Sequence, residues 1–146
     1  MKKTEDKQLE KETSLFRDFV ASSDTLRVYD GDKLLFASDK DRLKPLLEYL
    51  DKDIPHQGEI KIFDTILGNA AALLAVRAGC RKAYSPLSSE LAIKTLNDYS
   101  IEYSFTEIVP YIQNREGQGM CPMESLSIGK SPEEFYAAVQ RPGRDN

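Results

Sequence analysis

The stretch Phe63-Asp64-Thr65-Ile66-Leu67-Gly68-Asn69-Ala70-Ala71-Ala72-Leu73-Leu74-Ala75-Val76-Arg77-Ala78-Gly79 decides the fold. From Ile66 to Ala78 only Gly68, Asn69 and Arg77 interrupt a run of apolar and small residues, so a helix here is apolar nearly all round and must be buried. The sequence predicts the central helix of the core. Asp64 is placed to cap its first turn, and Gly79 to end it in a left-handed conformation. Asp64, Gly68 and Ala72 recur four apart, with Thr65 and Asn69 beside them, which draws a strip of small and polar residues along the helix. Either a neighbouring strand packs closely against Gly68, or a ligand sits at the helix N-terminus.

Working outward, Glu59 to Phe63 reads as a short strand feeding this helix, and Lys82 to Ser85 as a second strand after it. Pro86 to Ser89 is a turn with serine caps, and Glu90 to Tyr99 a helix facing inward through Leu91, Ile93 and Leu96. Ile101 to Phe105 is a further strand, and Ile108 to Ile112, with Pro110, a short apolar element. Upstream, Thr25 to Asp30 and Lys33 to Ser38 form a hairpin about Asp30-Gly31. Leu43, Leu46, Leu47 and Leu50 mark an amphipathic helix with Pro45 in its first turn, and Asp53 to Gln57 is a loop. Downstream, Gln113 to Met120 is a polar loop, Pro122 opens a helix with Cys121 as N-cap, and Ser131-Pro132-Glu133-Glu134 is a capping box for a last helix. Residues 1–11 read as disordered, Glu12 to Val20 as a short helix, and 141–146 as a flexible tail. The expected organisation is an N-terminal extension over 1–23, one domain over 24–140, and that tail. Alternating strands and helices imply a mixed sheet with helices on its faces.

A chain of 146 residues, 40% hydrophobic and 30% charged, suits a single domain with a real core. A net charge of −4 without a basic stripe argues against a nucleic-acid surface. No apolar run is long enough to span a bilayer, and the polar N-terminus lacks a signal-peptide core, so a cytosolic location is expected. Cys80 and Cys121 are expected to be free thiols. His56 is the only imidazole, which excludes most metalloenzyme sites and every histidine-paired triad that does not use it.

Phe63 to Leu74, Tyr84-Ser85, Val109 to Gly117 and Cys121-Pro122-Met123-Glu124 together resemble the family called domain of unknown function 1893, over roughly Asp24 to Val139. The resemblance implies a cytidine-deaminase-like fold, a three-layer α/β/α sandwich. Zinc deaminases bind their metal through an H-x-E motif at one helix start and P-C-x-x-C at the next. Here the corresponding positions read Asp64-Thr65-Ile66, or Gly68-Asn69-Ala70, and Pro86-Leu87-Ser88-Ser89-Glu90. The zinc ligands are missing, and His56, Cys80 and Cys121 lack the spacing of ligand pairs, so no metal or cofactor is expected.

Two kinds of chemistry remain. A non-catalytic binding module would hold a small polar or nucleotide-like ligand in the deaminase-type pocket, lined by Asp64, Thr65, Asn69, Ser88 and the loop with Asn114 and Arg115. A metal-independent enzyme would use Cys121 as nucleophile, since a helix N-terminus stabilises negative charge, with Asp64 or Glu124 as acid or base. Each residue also has a structural role open to it: Asp64 and Glu124 as caps, Cys121 as a small buried apolar group. A structural or interaction protein with a vestigial pocket is the third reading. Homo-oligomerisation is left open.

Overall fold

The computed structural model describes residues 2–140, so the tail expected at 141–146 lies outside the described residues. A long helix α1 (Lys2–Ala21) precedes the hairpin β1 (Leu26–Asp30) and β2 (Lys33–Ser38), and α2 (Lys44–Lys52) leads to β3 (Ile60–Asp64). There follow α3 (Asn69–Arg77), β4 (Cys80–Ser89), α4 (Glu90–Asp98), β5 (Glu102–Val109), α5 (Pro122–Ser127) and α6 (Pro132–Val139). The five strands form one mixed sheet in the order β2-β1-β3-β4-β5. β1 runs antiparallel to both its neighbours, whereas β3, β4 and β5 are parallel and joined by the crossover helices α3 and α4.

Alternation along the strands sends side chains to two separate cores. Leu26, Val28, Ile60, Ile62 and Ala83 point to the main core, where they meet Leu73, Leu74, Leu96, Phe135 and Val139. Tyr29, Phe63 and Tyr84 point the other way and pack under α1 with Phe19, Phe16 and Leu15. The sheet thus carries helices on both faces, α1 alone on one of them.

Five expectations need correction. The central helix begins at Asn69, not beside Asp64, because Asp64 is the last residue of β3 and the chain runs on along the sheet before turning: Thr65 N–H donates to Thr25 O (3.1 Å) and Leu67 N–H to Leu87 O (2.9 Å). β4 does not turn at Pro86. Its register steps from Ser85 opposite Phe105 to Leu87 opposite Glu107, so the proline is asked for no bridge to β5, and the Ser85 hydroxyl braces Leu87 on the far side of it. β5 accordingly extends to Val109 to keep β4 paired, absorbing part of the apolar element expected from Ile108. Finally α1 is a 20-residue helix rather than a short one after a disordered start, and Ala92, not Leu91 or Ile93, joins Leu96 as the buried face of α4. The hairpin, Pro45 in the first turn of α2, the Ser89 cap and the Ser131–Glu134 capping box are as expected.

Candidate functional site

In the parallel part of the sheet, the chain leaves the carboxyl ends of β3 and β4 and enters α3 and α4, the position where open α/β sheets place ligands. The N-cap residue of α3 is Gly68, which has no side chain to cap the helix. The cap comes from elsewhere in the chain: Glu124 of α5, 2% exposed, accepts the Asn69 N–H on Oε1 at 2.6 Å and the Ile112 N–H on Oε2 at 2.9 Å. A carboxylate at this end of the helix is stabilised by the dipole and by the free N–H groups together. Gly68 is what lets it in. A Cβ there would stand 2.7 Å from Glu124 Oε1 and 2.8 Å from Ile112 Cγ1.

Asn69 locks the same corner. Its Nδ2 donates to Ser127 Oγ at 2.9 Å, its Oδ1 accepts from the Thr95 hydroxyl of α4, and Ser127 Oγ donates back to Glu124 O at 2.6 Å. Ser88, fully buried, donates to Leu67 O at 2.6 Å. Asp64 lies buried at the tip of β3. Burial lifts its carboxyl to about 8, against the pull of the neighbouring Ile66 and Thr65 N–H groups. This corner is therefore a closed, hydrogen-bonded plug in which the chain supplies its own anion.

The other expected site residues are apart from it. Thr65 is half-buried, its N–H spent on Thr25. Asn114 folds its own loop, accepting from Gln118 N–H at 3.0 Å, and Arg115 is an exposed partner of Asp41. Cys121 is the half-buried N-cap residue of α5, as expected, without a side-chain bond to that helix. Ser127, Thr95 and the Ile112 N–H were not foreseen from the sequence. The spacing of Glu124 and Ser127, three apart on one helical face, was the available signal.

At the opposite end of α3 the surface is open. Tyr49, Leu50, Asp53, Ile54 and His56 from α2 and its following loop face Arg77, Ala78 and Tyr136 across a depression of about 160 Å³. The Arg77 guanidinium lies 5.0 Å from the centre of the Tyr136 ring, and among the described residues no carboxylate is within ion-pair distance of it. His56 Nδ1 is 2.8 Å from Gly58 O; a carbonyl only accepts, so Nδ1 carries the hydrogen and Nε2 is left free. Asp53, held in a left-handed conformation at φ 48°, adds a carboxylate to the wall. Cation, imidazole, carboxylate and two tyrosines line one small recess. Among the described residues no three histidine, cysteine or acidic side chains are grouped as a metal would need, and no helix is long and apolar enough to cross a membrane.

The model of a protein family described as "Domain of unknown function (DUF1893)" matches residues 16–141. Among solved structures, the crystal structure of a DUF1893 family protein (TM1506) from Thermotoga maritima is similar over 89% of this chain and 88% of that one, with 27% identity and a TM-score of 0.79. No curated protein matches the chain.

Proposed function

Since the chain belongs to the DUF1893 family, whose description names no activity, we propose from its own geometry that it is a non-catalytic binding module for a small polar ligand bearing a carboxylate or phosphate. The observation that carries this reading is Arg77, stacked on Tyr136 at the mouth of the recess with no carboxylate partner among the described residues. A planar guanidinium so placed offers two parallel donors to an anionic group, while Tyr49 and Tyr136 offer apolar walls and Asp53 and His56 Nε2 further polar contacts.

The sheet order β2-β1-β3-β4-β5, with only β1 running against its neighbours, suits a cytidine-deaminase-like fold, and we read the chain as a member of that architecture. In this reading the fold's usual pocket, at the starts of α3 and α4, has been closed by Glu124, Asn69 and Ser127, and recognition has moved to the other end of α3. Two free thiols, one buried and one half-buried, fit a reducing compartment and hence a cytosolic protein.

Thermal-shift measurements with inorganic phosphate, nucleoside monophosphates and free amino acids test the proposal. A ligand at about a hundred times its dissociation constant adds on the order of 2.7 kcal/mol, several degrees in a domain of this size. We expect at least one of these compounds to raise the melting temperature of the protein, and the shift to fall in R77A. A shift that is unchanged in R77A would place binding elsewhere.

A further inference from the structure

The inward stripe of α1 runs Glu12, Leu15, Phe16, Phe19, the spacing of a helix face packed on a core, and one of its four positions is a carboxylate. Glu12 is 9% exposed. Its Oε2 lies 3.2 Å from Lys61 Nζ, its Oε1 lies 3.1 Å from Lys82 Nζ, and the Tyr84 hydroxyl donates to Oε1. The two lysines converge because β3 and β4 pair Lys61 with Lys82 in register, so both side chains leave the same face of the sheet. Among the described residues, one negative charge thus answers two partly buried positive ones. Lys61 Nζ is withdrawn from solvent and, its ion pair apart, completes no hydrogen bond among the described residues. A buried ammonium with unused donors is a costly arrangement, and a second negative charge would relieve it.

Beside the lysines, Phe63 and Tyr84 stack at 4.5 Å and 7°, making a flat plate. Lys61, Phe63, Lys82 and Tyr84 all fall within the region matched to the family, residues 16–141, and Glu12 falls outside it. Residues 7–11 of α1 are held lightly: they are exposed, and among the described residues they add to Glu12 an exposed Lys11–Asp32 pair at 3.0 Å and the Gln8 bond to Glu12 itself.

We propose that Lys61 Nζ, Lys82 Nζ and the Tyr84 hydroxyl form an anion site for a multiply charged phosphate-class anion, that Glu12 is its built-in occupant, and that such an anion from outside displaces Glu12 and lifts the first half of α1. A phosphate supplies two charges for the two lysines and enough acceptor oxygens for both ammonium groups and the phenol. The proposal is independent of the recess at Arg77.

The test is calorimetric titration with inorganic pyrophosphate at constant ionic strength, in the R77A background so that the recess does not contribute. Binding is expected, about tenfold tighter when E12Q removes the internal competitor, and lost in K61M and in K82M. Hydrogen exchange over residues 7–15 is expected to rise on addition of pyrophosphate to protein that retains Glu12. Equal affinity with and without E12Q, or affinity retained in whichever lysine variant melts cooperatively, overturns the proposal. Absence of binding in both R77A and R77A/E12Q overturns it as well.

Discussion

Gly68 and Glu124 are a matched pair. The backbone at Gly68 is ordinary, with φ −83°, so what the glycine supplies is space for the carboxylate. G68A is therefore expected to cost about 1–3 kcal/mol by pushing a methyl group against Glu124 and Ile112, read as a lowered urea midpoint. An unchanged midpoint would show that the corner yields. Asp64 makes a different prediction, because its carboxyl keeps a proton up to about 8 in the folded chain, whereas at its ordinary value of 3.8 the unfolded chain releases it. Over that window the folded state binds the extra proton, so stability falls as pH rises, by up to about 1.4 kcal/mol per pH unit. Urea melts at pH 5, 6.5 and 8 are expected to show this decline in the natural protein and a flatter profile in D64N; parallel profiles would remove Asp64 as its source. Cys80, which burial pushes up to about 12, acts with the same sign only above pH 9.

At the scale of elements, α1 is the part whose attachment is separable. Its core consists of Phe19, Tyr29, Phe63 and Tyr84, and none of these belongs to the main core on the other face of the sheet. Phe19 is fully buried, edge-on to Phe63 at 6.0 Å. F19A is thus expected to raise hydrogen exchange across residues 7–21 while the amides of Ile62 and Leu74 keep their protection. Uniform loss of protection would mean that α1 and the sheet unfold as one unit. Glu12 belongs to the same seam: burial raises its carboxyl, but the bonds from Lys82 and Gln8 and the charge of Lys61 outweigh this and leave it below its ordinary value. Elements whose signals are local were legible in the sequence, among them the Asp30-Gly31 hairpin, the Ser89 cap and the Ser131–Glu134 box. α1 was read short because residues 1–11 are polar and charged with no apolar stripe, and β4 was cut at Pro86 although a proline breaks a strand only where its missing N–H is needed.

For the molecule as a whole, the sequence by itself determined that there is one mixed sheet, that most of the run from Ile66 to Ala78 is buried, Ile66 and Arg77 excepted, and that the residue types of a deaminase zinc site are missing at both helix starts. Those follow from composition and periodicity, which act over a few neighbouring residues and leave their mark in any window of that length. Only the tertiary structure decided what closes the start of α3. Asp64 stood next to it in sequence and looked like its cap, but the strand carries Asp64 past the helix, and the carboxylate that arrives instead is Glu124, 55 residues from the N–H it binds. The same holds for the recess, whose walls come from α2, α3 and α6, and for the pairing of Glu12 with Lys61 and Lys82, set by strand register. A charged side chain finds its partner through the packing of whole elements, and no local pattern in the chain records which partner that will be.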